Sequence, residues 1–301
     1  MPSVSVVITT YNRAQLLSRA IESARQAGSD LEVIVVDDCS TDETSDVCAA
    51  FNGVRYIRLT SNQGLANARN VGIAESSSEF IAFLDDDDLR LPGSLDGQLR
   101  ELISDERFAF CYGPTLIADS RRQLPTGEVY PLECPQGDIY WELLENNFVP
   151  MPSVLVRKSS LLELGGFNKE FDLIEDWDMW LRLSERWLVA AVDEPVAIYR
   201  KAIAESEQMC SNPGVLCKQC VRVQQVALNS ARARAGSRRQ RRYVKRKFRE
   251  TAYEILMAGA TNSLHEGNRQ LARANLVSAF RFRPFRTLVS GWLPWLIFAE
   301  R

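Results

Sequence analysis

Two uninterrupted runs rich in β-branched residues, Val4-Ser5-Val6-Val7-Ile8 and Glu32-Val33-Ile34-Val35-Val36, flank a stretch in which Leu16, Leu17, Ala20, Ile21 and Ala24 recur at helical spacing before Gly28. Apolar runs without alternation belong to strands covered on both faces, which is the condition of a parallel sheet. A helix between two such strands is the crossover that a parallel pair requires. The pattern continues with a helix over 42–51, a strand over 54–59, a helix over 67–75 and a strand over 80–84, and this alternation predicts an α/β fold. Later expectations are a helix over 93–104, strands near 108–112, 154–156, 189–192 and 196–199, and turn-rich sequence between 112 and 152.

Beyond about residue 204 the strand signal stops, and helices are expected over 215–235, 238–265 and 268–280. Charge changes at the same place. Residues 1–200 carry 17 Lys+Arg against 33 Asp+Glu, a net −16, and residues 201–301 carry 19 against 6, a net +13. Two segments are expected, 1–205 and 206–301, with different physical tasks.

The single histidine, His265, excludes multi-histidine zinc sites and points any chemistry toward carboxylates. Seven scattered cysteines read as free thiols, and Cys217-Lys218-Gln219-Cys220 lacks the second pair that a tetrahedral metal site needs. The first residues lack a basic n-region and a small-residue cleavage site, which predicts a cytoplasmic location. Leu288 to Phe298 is interrupted by Gly291 and Pro294 and is too short to span a bilayer, for which about 20 residues are needed.

Acidic groups gather where strands end. Asp85-Asp86-Asp87-Asp88 follows Phe80-Ile81-Ala82-Phe83-Leu84, and Asp37-Asp38 follows the run ending at Val36. Open α/β sheets bind ligands at the carboxyl ends of their strands. Clustered carboxylates there suit either a solvated turn or a hard divalent cation. Ser40-Thr41-Asp42 supplies a helix cap, which does not account for Asp37 and Asp38. Tyr11-Asn12-Arg13 ends the first strand with an aromatic face and a cation, and Arg69 stands alone among small residues in 64–72. Glu175-Asp176-Trp177 opens a helical pattern, where two acids either favour the helix dipole or do chemistry.

Five motifs together resemble family-2 glycosyltransferases over residues 1 to about 200: Val6 to Arg13, Val35 to Asp42, Asn62-Gln63-Gly64 with Ala68-Arg69-Asn70, Phe83 to Asp88, and Glu175-Asp176-Trp177 with Arg182-Leu183. The resemblance implies a GT-A fold, a Rossmann-like nucleotide-diphospho-sugar transferase domain, here with a C-terminal helical extension. It further implies an inverting enzyme, a UDP- or dTDP-sugar donor, an acceptor hydroxyl on a cell-surface glycan or lipid-linked saccharide, and Mn²⁺ or Mg²⁺. Carried over position by position, Thr9, Tyr11, Arg13, Asp38, Arg69, Asp85 and Asp86 are expected at the donor, with Asp37 supporting the turn. Asp87 is expected on the metal, Asp176 as the catalytic base, and Glu175 and Trp177 at the acceptor. Gly165-Gly166-Phe167 is expected either to let a sugar approach the backbone or to end a helix.

The chain departs from the family in Tyr199-Arg200-Lys201-Ala202, where many members carry a histidine; Arg200 or Lys201 would then serve the diphosphate. Cys39 replaces the small or amide residue usual after the paired aspartates. A catalytically degenerate, nucleotide-sugar-binding subunit is the alternative that these departures leave open. Ten Lys+Arg between Arg232 and Arg249, with Trp292, Trp295, Ile297 and Phe298 beyond, suit an anionic membrane surface at the inner face of the membrane. Nucleic acid is the less favoured partner for that segment.

Overall fold

A computed structural model describes residues 3–118, 124–171, 173–200 and 213–289. The chain divides into two compact units, Met1–Tyr140 with Asn147–Lys201, and Trp141–Asn146 with Ala202–Arg301.

The first unit is built on a seven-stranded sheet. Strands β1 (Val4–Thr10), β2 (Leu31–Asp37), β3 (Val54–Arg58) and β4 (Phe80–Asp85) alternate with helices α1 (Ala14–Gln26), α2 (Thr44–Ala49) and α3 (Leu65–Glu75). Strand β5 is Leu89–Arg90 and helix α4 is Ser94–Ile103; β6 (Phe108–Tyr112), β7 (Thr115–Ala118) and β8 (Pro125–Tyr130) follow. After the short α5 (Tyr140–Leu143) come β9 (Leu155–Arg157), α6 (Lys158–Glu163), α7 (Glu175–Arg186), β10 (Leu188–Ala191) and β11 (Ala197–Arg200). The main sheet has the order β10-β6-β9-β4-β1-β2-β3. The β1, β2, β3 and β4 neighbours are parallel, as the uninterrupted apolar runs predict, and β9 runs antiparallel between β4 and β6.

Parallel register brings distant sequence together. Thr10 is opposite Asp37 and Thr9 is opposite Asp85, so the three acidic or polar strand ends form one ledge. Beneath it, β1 and the inner part of β2 are buried along their length and pack with Leu17, Ile21, Ala24 and Leu102 in one hydrophobic cluster. Gly72 on α3 is needed for this packing, because a Cβ there would collide with the Val7 side chain.

A second sheet, β5-β11-β7-β8, draws β7 and β8 from the region expected to be turn-rich, while β11 is the strand expected over 196–199. Strand β8 is mostly exposed and contains Gly127, so it lacks the hydrophobic run by which the other strands are recognised. Its pairing with β7 makes it a strand.

The second unit is helical: α8 (Pro213–Leu228), α9 (Ala231–Ala235), α10 (Arg238–His265), α11 (Arg269–Phe282) and α12 (Pro284–Val289). The expected continuous helix over 215–235 is broken, because the Ser230 side chain accepts from the Ala233 N–H and starts a new helix. Ser237 caps α10 through Gln240 and Asn268 caps α11 through Leu271 in the same way. Val244, Phe248, Ala252, Leu256 and Ala260 form the buried stripe of α10, and Ala272, Leu276 and Ala279 that of α11. Among the described residues no helix is long and apolar enough to cross a membrane. Trp292, Trp295, Ile297, Phe298, Lys201 and the expected boundary near 205 lie outside the described residues.

Candidate functional site

The turn after β1 is tied to the turn after β2. Asn12 adopts a left-handed conformation at φ 53°, its side-chain oxygen accepts from the Thr41 N–H at 2.7 Å, and its own N–H donates to Ser40 Oγ at 2.9 Å. Cys39 is also left-handed, at φ 70°, where asparagine or glycine is accommodated at lower cost. Asp37 is buried, accepting from the Ser40 N–H at 2.8 Å and the Tyr56 hydroxyl at 2.6 Å, which is the supporting role expected of it. Asp38 accepts from the backbone N–H groups of Gln63 at 2.7 Å and Gly64 at 2.9 Å, so its two oxygens retain lone pairs for a further donor. Tyr11 is 45% exposed and leaves its ring open.

The acidic turn after β4 is held by arginines. Arg13 donates to Asp86 at 3.1 Å and Asp87 at 3.2 Å, and Arg200 donates to Asp87 at 2.8 Å. The Arg200 backbone N–H reaches Asp88 Oδ1 at 2.8 Å. Thr10, not foreseen in the sequence, donates to Asp86 at 2.8 Å. Burial, with the neighbouring Asp87 charge, pushes the Asp86 carboxyl up to about 7 against the opposing pull of Arg13. Burial, with the Asp87 and Asp85 charges, also raises the Asp88 carboxyl well above the usual carboxylate range, and its Oδ2 is buried without a hydrogen-bond partner. No cluster of three metal-ligating side chains occurs among the described residues. A hard divalent ion needs only one or two carboxylates when phosphate oxygens complete its shell. The oxygen donors of this turn, with one buried oxygen unsatisfied, have the chemistry for such an ion.

Arg69 links this turn to α7. Its guanidinium donates to Asp85 at 2.7 Å and pairs with Glu175, and Thr9 donates to Asp85 at 3.2 Å. Arg69 loses solvation by burial, yet the Asp85 and Glu175 charges outweigh that and raise its pKa, so it is a permanent cation. Asp176, next in the chain after Glu175, is only partly buried. Its carboxylate accepts from the Trp177 N–H at 2.6 Å and from Asn147 Nδ2 at 3.2 Å. Burial and the Glu175 charge push Asp176 up to about 7, with Arg69 and these two hydrogen bonds pulling the other way.

The structure corrects three assignments and settles one alternative. Trp177 is 1% exposed and has no ring face for an acceptor; like Trp180, at 0%, it is buried in the core. Glu175 is 3% exposed and turned to Arg69, which removes it from any acceptor surface. Arg69, 2% exposed and engaged by two acids, cannot reach a base edge or diphosphate and instead positions the acids. The Gly165-Gly166 pair ends α6, both residues at φ 78°, with the Gly166 N–H bonded to Leu161 O at 3.0 Å. A Cβ on Gly166 would strike Asn70, whose amide holds both the N–H and the carbonyl of Phe167. That tight approach explains the glycine without a ligand.

The glycosyl transferase family 2 model matches residues 5–163. A Campylobacter jejuni protein named GalNAc(5)-diNAcBac-PP-undecaprenol beta-1,3-glucosyltransferase is 34% identical, over 57% of this chain and 56% of its own. Staphylococcus aureus TarS 1–349 in complex with UDP-GlcNAc superposes with a TM-score of 0.63 at 19% identity, over 99% of this chain and 87% of that one. The Pyrobaculum calidifontis mannosyltransferase PcManGT, solved with GDP-Man and Mn²⁺, gives a TM-score of 0.56 at 16% identity, over 96% and 88% of the two chains. The chain spans 61%, 33% and 56% of the length of the first three curated relatives that it matches.

Proposed function

Because the chain belongs to glycosyl transferase family 2, we propose that it transfers a sugar, with inversion, from a UDP- or dTDP-sugar to a hydroxyl of a lipid-linked or cell-surface saccharide. The observation that carries this reading is Asp176: a half-buried residue whose carboxyl is pushed up to about 7, tied through Glu175 and Arg69 to the acidic turn at the strand ends. A general base is most effective when its pKa lies near the working pH.

In this mechanism the Tyr11 ring stacks on the base, and Asp38, held by the Gln63 and Gly64 N–H groups, accepts from the pyrimidine imide. Thr9 steadies Asp85, and Thr10 with Arg13 steadies Asp86. Arg13 and Arg200 place two cations at Asp87, where they oppose the charge of a bound diphosphate. Asp176 takes the proton of the acceptor hydroxyl as its oxygen bonds to the anomeric carbon and the bond from that carbon to the diphosphate breaks. Asp87, with Asp85 beside it, would hold Mn²⁺ or Mg²⁺, which when bound supplies electrophilic stabilisation of the departing diphosphate. The UDP-GlcNAc complex of TarS supports the donor class, the Mn²⁺ of PcManGT supports the metal, and the undecaprenol-linked substrate in the name of the Campylobacter relative supports the acceptor.

The exposed cations of 232–249 are proposed to rest on an anionic membrane surface, which would place the enzyme peripherally at the inner face. A thermal-shift screen of nucleotide sugars with Mn²⁺, followed by transfer assays of Asp176→Asn, tests the catalytic reading. One donor class should stabilise both proteins while only the parent transfers. Normal turnover by the variant would remove Asp176 from its role, and stabilisation by no nucleotide sugar would remove the donor assignment.

A further inference from the structure

Helix α10 carries Arg242, Lys245, Arg246 and Arg249 at positions i, i+3, i+4 and i+7, which places them on one face. With Phe282 and Arg283 at the end of α11, they line a cleft of about 250 Å³. The α10 cations are exposed, and none of them has an ion pair among the described residues. Like charges at these spacings oppose one another, so the helix tolerates the arrangement without drawing stability from it. Phe282 meets the buried Phe248 edge-on at 6.4 Å, and the Arg246 guanidinium lies 5.6 Å from the centre of the Tyr243 ring. Arg283 pairs with Glu250, while its Nε is buried with no hydrogen-bond partner. No carboxylate lines the cleft.

We propose that this cleft is a phosphate-binding site that takes a phosphomonoester or diphosphate group. Guanidinium groups suit phosphate because their planar N–H donors match its oxygens two at a time. Size argues for a headgroup and against a whole nucleotide sugar, since pockets for larger organic ligands begin at about 300 Å³. A purely solvated basic stripe has no need of concavity, an aromatic floor or an unsatisfied buried donor. The phosphate can be carried by a lipid headgroup or be free in solution. In its lipid form the proposal deepens the membrane reading above; in its soluble form it stands without it.

Calorimetric titration of the full chain with inorganic pyrophosphate tests the site. The parent should bind saturably, Arg242→Gln/Arg246→Gln should weaken binding about tenfold or more, and Arg234→Gln/Arg238→Gln, an equal loss of charge outside the cleft, should stay within about twofold. All four side chains are exposed, and circular dichroism checks that both variants fold. Absence of binding by the parent, equal weakening by both pairs, or unchanged binding by the cleft variant would overturn the proposal. Pyrophosphate held at the strand ends of the first unit would survive in the cleft variant, so a failure of the transferase reading leaves this result interpretable. Sedimentation with phosphatidylcholine vesicles, with and without phosphatidic acid, then identifies the source. Cleft-dependent, pyrophosphate-displaceable sedimentation supports a lipid headgroup; pyrophosphate binding through the cleft without sedimentation supports a soluble phosphate.

Discussion

In the first unit the guanidinium of Arg69 is 2% exposed and held by Asp85 and Glu175, whereas in the second Arg242, Lys245, Arg246 and Arg249 are exposed along one face of α10. Both regions concentrate charge, but only the first removes it from water. Desolvation there moves Asp86 and Asp176 up to about 7 and makes each ion pair part of the fold. The α10 cations stay exposed to water, and their value lies in what they can attract. Charge that is buried can do proton chemistry at neutral pH; charge left in water can hold an anion.

The strongest way to break this contrast is Asp176→Asn, which should lower kcat by about 10²–10⁴ while donor binding persists, read by transfer assay and thermal shift. Next is Arg69→Met. It leaves the buried Glu175 carboxylate and the partly exposed Asp85 without their cation and should cost about 3–5 kcal/mol by denaturant unfolding. A loss below about 1 kcal/mol would mean that water reaches the pair and that the acidic ledge is not a dry site.

Asn147→Ala tests the tuning of Asp176. Asp176 must be ionised to act as base, so kcat/KM, which reports the free enzyme, should rise with pH through about 7 and then level. Glu175 raises its pKa, while Arg69, the Trp177 N–H and Asn147 lower it. Removing the Asn147 donor should shift the profile upward by up to about one pH unit, the equivalent of one hydrogen bond of roughly 1 kcal/mol. Stability has the opposite sign. A carboxyl whose folded pKa exceeds its unfolded value holds its proton longer in the native state, so its contribution declines as pH rises from about 4 to 7, and Asp176→Asn should flatten that decline.

The smallest effect is expected at the other pole. Arg242→Gln/Arg246→Gln should leave the helical unit as stable or slightly more so, by about 0.2–0.5 kcal/mol for each relieved like-charge pair. Loss of a cation would then destabilise one unit and relieve the other; destabilisation in both would mean that the basic face is paired like the acidic one.

Much of the first unit was legible because parallel strands need long apolar runs: β1, β2 and β4 and the helices between them stand in the sequence as they do in space. Strands β7 and β8 were missed because β8 is exposed and has no buried face to write a pattern. The break at Ser230 was missed because a cap is a local hydrogen bond inside a stretch whose composition stays helical. At the site, Asp37, Asp85 and Asp176 were findable as acids at strand ends or helix starts. Asn147 was not, since it sits in turn-rich sequence and its partner is 29 residues away. Nor was the true place of Trp177, because an aromatic beside an acid reads the same whether its ring is open or, as here, 1% exposed.

The sequence by itself determined the alternation of strands and helices, the acidic strand ends, and the split between an acidic and a basic segment, because those depend on periodicity and composition. Tertiary structure decided what each charge became. Arg69 is a surface cation by composition and a buried bridge in the fold, since Asp85 and Glu175, 16 and 106 residues away, meet around it. Burial and pairing are properties of neighbours, and the neighbours that set the pKa of Asp176 or gather five cations and Phe282 around one cleft are assembled only when the chain closes on itself.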